Sequence, residues 1–508
     1  MNLAIVHSRA RSGVRAPEVR VEVHLGGGLP SMSIVGLPAA AVREAKDRVR
    51  AALQSSQLEF PARRITVNLA PADLPKDGGR FDLPIALGIL AASGQIPQQA
   101  LEDTEFLGEL ALTGELRAVD GALPATLATN ATGRSLVLPL ANGAEAALAA
   151  QARVHTARTL LEVCAGLKGQ KMLPRAEPAA GPAAGCAPDL VDVRGQAHAR
   201  RALEIAAAGS HHLLFLGPPG CGKSMLAARL PGLLPPPSHD EALESAAIAS
   251  AAGLGHHTAH DAMRAWGIRP FRAPHHSASA IALVGGGGVP RPGEVSLAHN
   301  GVLFLDELPE WSRAALEVLR EPLENGTVTV SRAARSVDFP ARFQLVAAMN
   351  PCPCGWAGDA SGRCRCSEES IARYRARVSG PLMDRIDLHV DVPRLSSGEL
   401  RGAAPPGESS TTVANRVARA RHCQLERTGK PNAQLSQAEL RQMCALSDHD
   451  QNLLDTAADR LQLSARSVHR ILRVARTIAD LDCAVAIQTQ HLTEAIGYRQ
   501  VDRGAAVA

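Results

Sequence analysis

The chain is poor in aromatic residues and in long apolar runs. Aromatic residues make up 3% of its 508 residues, which argues against extensive stacking on nucleic-acid bases. No run reaches the roughly 18 apolar residues of a membrane span, and residues 1–14 lack the apolar segment of a signal peptide. We therefore expect a cytoplasmic protein without membrane contacts. The formal net charge is only +4, so any nucleic-acid surface must be local.

Cysteine is also scarce, and its placement is uneven. Four of the ten cysteines lie between residues 352 and 366, and the other six are scattered. Scattered thiols are typical of a reducing compartment, so we expect no disulfide framework.

Composition and periodicity divide the chain into regions. Its length predicts about three domains. Residues 18–25 and 64–69 alternate apolar with polar, and residues 40–53 have helical spacing, so the N-terminal third is predicted to be α/β. Stretches rich in Pro, Gly, Ala or Ser without periodicity indicate linkers. The predicted boundaries are 1–167 for a first domain, 168–188 for a linker, 189–395 for a second domain, 396–410 for another linker and 411–508 for a helical domain.

The most informative stretch is a glycine-rich loop between an apolar run and a helical segment. It consists of Gly217, Pro218, Pro219, Gly220, Cys221, Gly222, Lys223 and Ser224. Glycines let backbone N–H groups surround a phosphate, Lys223 can reach the β and γ oxygens, and Ser224 can ligate Mg²⁺. The pattern predicts ATP and Mg²⁺ as cofactors and nucleotide hydrolysis as the chemistry.

Two further apolar segments end in polar residues. Residues 302–305 precede Asp306 and Glu307, and residues 345–349 precede Asn350. After a phosphate loop, the first acid is expected to hold Mg²⁺ and the second to polarise the attacking water, although such a pair can also cap a helix. Asn350 is predicted to hydrogen-bond the attacking water or the γ-phosphate.

Two arginines are predicted to complete the nucleotide site. Arg385 lies between Asp384 and Asp387. An arginine that reaches a neighbouring subunit's γ-phosphate stabilises transition-state charge, and the alternative is a surface ion pair. Arg466 opens a basic helix and is the candidate for a lid arginine that contacts the same nucleotide. Arg470 is the competing candidate, and a solvated basic face is the alternative.

The clustered cysteines form two Cys-x-Cys pairs separated by nine residues. They are Cys352 with Cys354 and Cys364 with Cys366. Four thiolates in one loop can enclose Zn²⁺ tetrahedrally, but each pair is one residue tighter than the usual zinc spacing. The sequence leaves three interpretations open: a structural zinc site, reduced thiols in a loop, or a redox role.

Longer strings resemble those of a known family. They are GLPS at 28–31, VGLP at 35–38, NLAPADLP at 68–75, RPFRAPHH at 269–276, PGEVSLAHNG at 292–301 and RILRVARTIADL at 470–481. Together with the order of phosphate loop, acidic strand and Asn-ending strand, they resemble the ComM (YifB) group of magnesium-chelatase-like AAA+ ATPases over nearly the whole chain. The resemblance implies an α/β fold class with an N-terminal Lon-protease-like (S5-like) α/β domain, a central AAA+ P-loop NTPase domain with the Cys-rich loop 352–366, and a C-terminal α-helical lid.

The same resemblance implies a function. It is that of a hexameric ring that uses ATP to move on branched DNA, a branch-migration helicase that promotes recombination during natural transformation. The expected partners are further copies of the chain and DNA with branches or single-stranded/duplex junctions. A magnesium-chelatase-type ATPase subunit and a protein-remodelling ring share the AAA+ core and remain alternatives.

Arginines in insertions into the core are the expected DNA contacts. They are Arg269, Arg272, Arg291, Arg332 and Arg335. Arginines on loops suit phosphate contacts, which predicts salt-sensitive binding with weak sequence dependence, but they can instead pair with acids between subunits. The neighbouring His256, His257, His260, His275, His276 and His299 are interpreted as loop or interface residues.

Peptidase activity is not expected. The string PKDG at 75–78 resembles the start of the Lon nucleophile loop, but Arg80 holds the position of the serine and Leu123 that of the lysine. A Ser-Lys dyad needs a hydroxyl nucleophile beside a desolvated amine. We therefore predict that the purified chain does not cleave fluorogenic peptides. Cleavage that disappears when a single residue of the N-terminal domain is mutated would contradict this prediction.

Overall fold

The computed structural model describes residues 2–74, 76–178, 188–254, 266–287, 290–332, 335–359, 362–395 and 407–499. Along these residues an α/β region is followed by a second α/β region and then by helices. Three of the histidines named above, His256, His257 and His260, lie outside the described residues. So do positions 179–187 and 396–406 of the two predicted linkers.

A mixed seven-stranded sheet carries the N-terminal region. The strands of this region are β1 (Leu3–Arg9), β2 (Glu18–Gly26), β3 (Ser31–Val35), β4 (Arg64–Ala70), β5 (Thr104–Phe106), β6 (Glu109–Leu110), β7 (Leu116–Arg117), β8 (Ser135–Pro139) and β9 (Val154–Ala157). The sheet order is β3-β4-β2-β1-β5-β8-β9, and β6 pairs with β7 separately. Buried and more accessible residues alternate along β2, which is the period of a half-buried strand.

A buried helix covers this sheet. The helices of the region are α1 (Ala40–Arg43), α2 (Ala45–Ser55), α3 (Asp82–Ala92), α4 (Ala122–Ala131), α5 (Gly143–Ala146) and α6 (Leu160–Leu167). All 11 residues of α3 are buried, and the helix packs on β1 and β2. A helix that is apolar on nearly every side is stable only inside a core, so α3 anchors the N-terminal region.

A five-stranded parallel sheet organises the central region. Its strands are β10 (Leu213–Leu216), β11 (Phe271–Arg272), β14 (Val302–Leu305), β17 (Gln344–Met349) and β18 (Leu388–Asp391), in the order β11-β14-β17-β10-β18. Two hairpins stand outside it, namely β12 (Gly285–Gly286) with β13 (Arg291–Pro292), and β15 (Thr327–Arg332) with β16 (Arg335–Pro340). Because the sheet is parallel, the carboxyl ends of its strands share one edge.

Helices cover both faces of this sheet, so that β14 and β17 are buried along their whole length. The helices of the central region are α7 (Ala197–Gly209), α8 (Lys223–Ala227), α9 (His239–Ala251), α10 (Ala280–Val284), α11 (Glu294–Leu297), α12 (Arg313–Glu317), α13 (Arg320–Asn325), α14 (Glu368–Arg375) and α15 (Gly380–Met383).

The C-terminal helices share a core with α7. They are α16 (Ser410–Thr428), α17 (Gln437–Met443), α18 (Asp448–Arg460), α19 (Ala465–Leu481) and α20 (Thr489–Gly497). Both α16 and α19 pack on α7, and Arg421 of α16 donates hydrogen bonds to the carbonyls of Ala207 and Ala208. The helical region is therefore joined to the central region by buried contacts.

The predicted fold class is confirmed. The first two regions are α/β, the second has an AAA+-like parallel core, and the last is helical. Among the described residues, no helix combines the length and the apolar character needed to cross a bilayer. The exact domain boundaries stay predictions.

Candidate nucleotide site

The phosphate loop joins β10 to α8 at the shared carboxyl edge of the central sheet. Gly220 and Gly222 have φ angles of +76° and +96°, in the left-handed region that favours glycine. A Cβ on Gly217 would lie 2.3 Å from the carbonyl oxygen of Val392, so only glycine fits there. A Cβ on Gly220 would meet nothing within 4 Å. The loop therefore packs on one side and stays open on the other.

Lys223 links this loop to the next strand. The side chain is buried, and its ammonium donates to the carbonyls of Gly217 at 2.7 Å and Pro218 at 3.0 Å. It also donates to Asn350 Oδ1 at 3.0 Å, at the end of β17. Burial lowers the pKa of Lys223, while nearby negative groups oppose the shift. The structure thus brings the predicted lysine and asparagine together.

The two residues predicted to ligate Mg²⁺ also meet. Ser224 Oγ donates a hydrogen bond of 2.6 Å to Asp306 Oδ2, and Asp306 directly follows β14. Behind it, Trp311 Nε1 donates to the carbonyl of Asp306 at 2.9 Å from a buried position. The sequence analysis missed Trp311, which fixes the backbone of the acidic turn.

Glu307 has an unusual backbone and an unexpected partner. Its φ and ψ are 50° and 48°, a left-handed conformation that costs a non-glycine residue about 1–2 kcal/mol. Its carboxylate oxygen Oε2 lies 3.0 Å from His276 Nδ1. His276 follows β11, the strand next to β14, so the parallel topology brings the two residues to one edge. The interpretation of His276 as a loop residue missed this contact.

These residues fit ATP and Mg²⁺. The open side of the loop offers backbone N–H groups, Lys223 a cation, and the Ser224–Asp306 pair the oxygen ligands that magnesium prefers. Bound Mg²⁺ would supply neutralisation of phosphate charge. Glu307 offers a carboxylate that can accept a hydrogen bond from water, and His276 holds that carboxylate at the carboxyl edge.

Arg470 lies at the opposite edge of the sheet. Strand β10 has four residues, about 13 Å of extended chain, and the phosphate loop follows its carboxyl end. His212 precedes the amino end, and its N–H donates to Asp387 Oδ2 at 2.9 Å. Arg470 Nη1 donates to the other oxygen of Asp387 at 2.5 Å. The competing lid arginine is therefore part of a buried ion pair across the sheet from Lys223.

Arg385 and Arg466 lie near Arg470 and share an acid. Arg385 is buried and donates to Glu324, and Arg466 approaches the same carboxylate at 3.9 Å. A cleft of about 210 Å³ opens between these residues. The surface ion pair considered for Arg385 thus exists in this chain, but the guanidinium is buried and lines a cleft with other arginines.

Three segments of the chain match models of known protein families. Family models described as magnesium chelatase subunit ChlI, subunit ChlI of Mg-chelatase and the ChlI C-terminal part match residues 189–400, 21–142 and 407–499. Competence protein ComM of Haemophilus influenzae is 52% identical over 511 residues, which cover 99% of this chain and 98% of that protein. The chain belongs to the ComM/YifB family. This family is magnesium-chelatase-like, and its members have an AAA+ ATPase core.

Two further relatives match different shares of this chain. The YifB protein of Escherichia coli is 50% identical over 504 residues, 99% of this chain and 98% of that protein. DNA replication licensing factor mcm-6 of Caenorhabditis briggsae is 24% identical over 217 residues, 40% of this chain and 25% of that protein.

Two of the arginines expected to contact DNA are engaged within the chain. Arg272 forms two hydrogen bonds of 2.7 and 2.8 Å with Glu294. Arg269 pairs with Glu241 at 3.0 Å and donates to the carbonyl of Asn300. In this ComM/YifB member, a phosphate contact by either arginine would have to displace an acid of the same subunit.

The other DNA candidates lie on the two hairpins. The side chain of Arg291 on β13 is 54% exposed, and Arg332 and Arg335 are paired backbone positions in the register of β15 and β16. By contrast, His299 is buried and pairs with Glu244 at 3.0 Å. Arg291 is also engaged within the chain, because it pairs with Asp120 at 3.4 Å, and His299 has a structural partner.

Both positions of the Lon-type dyad hold other groups. Arg80 is buried and donates to the carbonyls of Arg9 and Asp120. Burial lowers the pKa of Arg80 to about 10. Leu123 is buried, and its N–H donates to Glu145 at 3.1 Å. Neither side chain provides a hydroxyl nucleophile or an amine base, and the lack of peptidase activity stays a prediction.

The residues just before α4, next to Arg80 and Leu123, contact the central region. Asp120 binds Arg11 at 3.0 Å and Arg291 of β13 at 3.4 Å. The next residue, Gly121, donates its N–H to the carbonyl of Ser250 on α9 at 3.1 Å. The N-terminal region and the β12/β13 hairpin are therefore connected through one carboxylate.

We predict that Arg470→Ala lowers the melting temperature and that Arg466→Ala does not. Burial alone raises the pKa of Asp387, but Arg470 and two histidines outweigh it and hold that pKa well below its ordinary value. The pair therefore stabilises the fold at neutral pH, and this contribution is lost only as the pH falls through the lowered pKa. Removing one partner of a buried pair costs about 3–5 kcal/mol.

The matched variant is Arg466→Ala, because that side chain is 70% exposed and its truncation is expected to cost at most about 0.5 kcal/mol. Calorimetry of both variants at neutral pH provides the comparison. Equal melting temperatures would contradict the structural role of Arg470 and favour it again as the lid arginine.

Proposed function

We propose that the chain is an ATP-hydrolysing AAA+ motor that assembles as a hexameric ring on DNA and drives branch migration during natural transformation. The phosphate loop, Lys223, Ser224 and Asp306 bind the magnesium nucleotide. Glu307 and Asn350 act on the attacking water. The arginines of the cleft, Arg385 and Arg466, act on the nucleotide of the adjacent subunit.

One observation carries this proposal, namely the separation of the two halves of the site on opposite edges of one sheet. Lys223 follows the carboxyl end of β10, whereas Arg385 lies two residues before Asp387, which contacts the residue at its amino end. This separation supports a role for Arg385 at the nucleotide that another chain holds. A head-to-tail interface repeated around a closed ring brings opposite edges of neighbouring subunits together.

The choice of DNA as the substrate has two supports. The relative with 52% identity is named for competence, and a partial match is named for DNA replication. Within the chain, three arginine positions lie on the two hairpins outside the parallel sheet. Arginines on hairpins suit contacts with phosphates, which are independent of base sequence.

We predict that Lys223→Ala and Arg385→Ala are each nearly inactive as ATPases and that mixing them restores activity. A subunit with Arg385→Ala still has an intact phosphate loop, and its Lys223→Ala neighbour still offers Arg385. Random assembly of equal amounts gives a complete site at roughly one interface in four, so recovery of roughly a quarter of the wild-type rate is expected. Steady-state phosphate release from monomers mixed before assembly measures it.

The control is the double variant Lys223→Ala/Arg385→Ala. An equal mixture of this double variant with either single variant contains no complete site. No recovery in the mixture of single variants, with assembly verified by mass measurement, would contradict a shared site. Recovery also shows that Arg385→Ala folds, because that chain then supplies the working phosphate loop.

We predict that four-way or forked DNA stimulates ATP hydrolysis several-fold more than linear duplex of the same length. Stimulation should fall as salt rises, because phosphate contacts release counterions. ATPase rates on the three DNAs across a salt series provide the measurement. Indifference to every DNA would contradict the proposal and favour a chelatase-type subunit or a protein-remodelling ring.

A further inference from the structure

The Cys-rich loop brings four sulfur atoms together next to the phosphate loop. The Sγ atoms of Cys352, Cys354, Cys364 and Cys366 all lie within 4.8 Å of one another. Three of the separations are 3.3, 3.8 and 3.7 Å, between Cys352 and Cys354, Cys352 and Cys364, and Cys354 and Cys364. None of the four is in a disulfide.

Two of these separations, 3.8 and 3.7 Å, match those of a tetrahedral zinc site. With Zn–S bonds of about 2.3 Å, tetrahedral geometry places neighbouring sulfurs about 3.8 Å apart. Four thiolates leave no open position, which is typical of a structural rather than a catalytic site, and soft sulfur ligands select zinc over magnesium. The tight Cys-x-Cys spacing does not prevent this arrangement, because each pair contributes both of its sulfurs to the cluster.

Two backbone N–H groups donate hydrogen bonds to Cys352 of the first pair. The N–H of Gly355 donates to the carbonyl of Cys352 at 2.9 Å, which closes a turn around Cys354. The N–H of Ala357 donates to Cys352 Sγ at 3.3 Å. Such donors to the ligating sulfur stabilise a thiolate and orient it, as partners of metal ligands generally do.

The turn at residues 352–355 also packs against the phosphate loop. Gly355 has a φ of +83°, and a Cβ there would lie 2.6 Å from Pro219 Cδ and 3.9 Å from Asn350 Cγ. The phosphate loop is therefore packed closely on the backbone of the Cys-rich loop at Pro219, and Asn350 lies near the same glycine. Beyond it, the guanidinium groups of Arg363 and Arg394 lie 5.1 and 5.9 Å from the centre of the Trp356 ring.

We propose that the four cysteines bind one structural Zn²⁺ and that the metal holds Gly355 against Pro219 and Asn350. Each thiol that ligates zinc gives its proton to solvent, so the bound form carries four thiolates. The metal fixes a short loop that has few apolar side chains of its own. Loss of zinc releases the support behind the phosphate loop, so nucleotide binding weakens. This second effect rests on the proposed nucleotide site, whereas metal binding does not.

The first experiment measures metal content. Full-length protein purified with a thiol reductant and without chelator is analysed by elemental mass spectrometry, and about one zinc per chain is expected. Cys366→Ser should lose most of the zinc. Cys423→Ser is the matched control and should keep it, because Cys423 is an exposed cysteine on α16 outside the cluster. Native protein without zinc, or full zinc in Cys366→Ser, would overturn the proposal.

The second experiment separates metal loss from misfolding. Zinc is removed from wild-type protein with a zinc-selective chelator and then added back, and the Kd of a fluorescent non-hydrolysable ATP analogue is measured at each stage. Removal should weaken binding about tenfold, a typical effect of losing support around a site, and zinc should restore it. Substitution by Co²⁺ should give the visible absorption of a tetrahedral tetrathiolate centre.

The outcomes are distinguishable. An unchanged Kd after verified zinc removal would overturn the supporting role. An octahedral cobalt spectrum would overturn the four-thiolate site. Absence of DNA stimulation, or of recovery on mixing, would contradict the proposed function while leaving the zinc content and the cobalt spectrum as they are.

Discussion

The parallel alignment of β14, β17, β10 and β18 is the constraint on which the rest of the central region depends. It brings the ends of three chain segments to one edge, where Lys223 meets Asn350 and Ser224 meets Asp306. The same alignment carries the segment before β18 to the other edge, where Asp387 is buried. A single hydrogen-bonding pattern thus gathers one set of charged groups and keeps another away from it.

Each edge satisfies its buried charges in a different way. At the carboxyl edge, the Lys223 ammonium is surrounded by carbonyl and amide oxygens, which are neutral acceptors that a phosphate can replace. At the amino edge, Asp387 is held by Arg470 and by a backbone N–H, and a buried carboxylate of this kind is costly to disturb. The acceptors around Lys223 can therefore be exchanged for a ligand, whereas the partners of Asp387 stay in place. This combination suits a rigid core that binds and releases a ligand.

Site residues that follow a local sequence pattern could be predicted from the sequence. Contacts between residues far apart in the chain could not. The loop at Lys223 and the polar residue after β17, Asn350, were predicted from apolar runs and the residues that end them. The α/β character of the N-terminal third came from periodicity, whereas the AAA+ core and the helical lid came from the resemblance of longer strings to the ComM/YifB group. The contact between Glu307 and His276 could not be predicted, because it arises from the adjacency of β11 and β14 in a sheet whose order is not written in either segment. Nor could the pairing of Arg470 with an acid 83 residues away be predicted.

Asp120 pairs with Arg11, which follows β1 in the N-terminal region, and with Arg291 of the β12/β13 hairpin. A carboxylate that binds two arginines ties the two segments that carry them to one point. A displacement of β13 that stretches this ion pair would therefore be resisted from the N-terminal region as well as within the hairpin. In that role the N-terminal region would act as a support, for which charge and rigidity matter and a nucleophile does not.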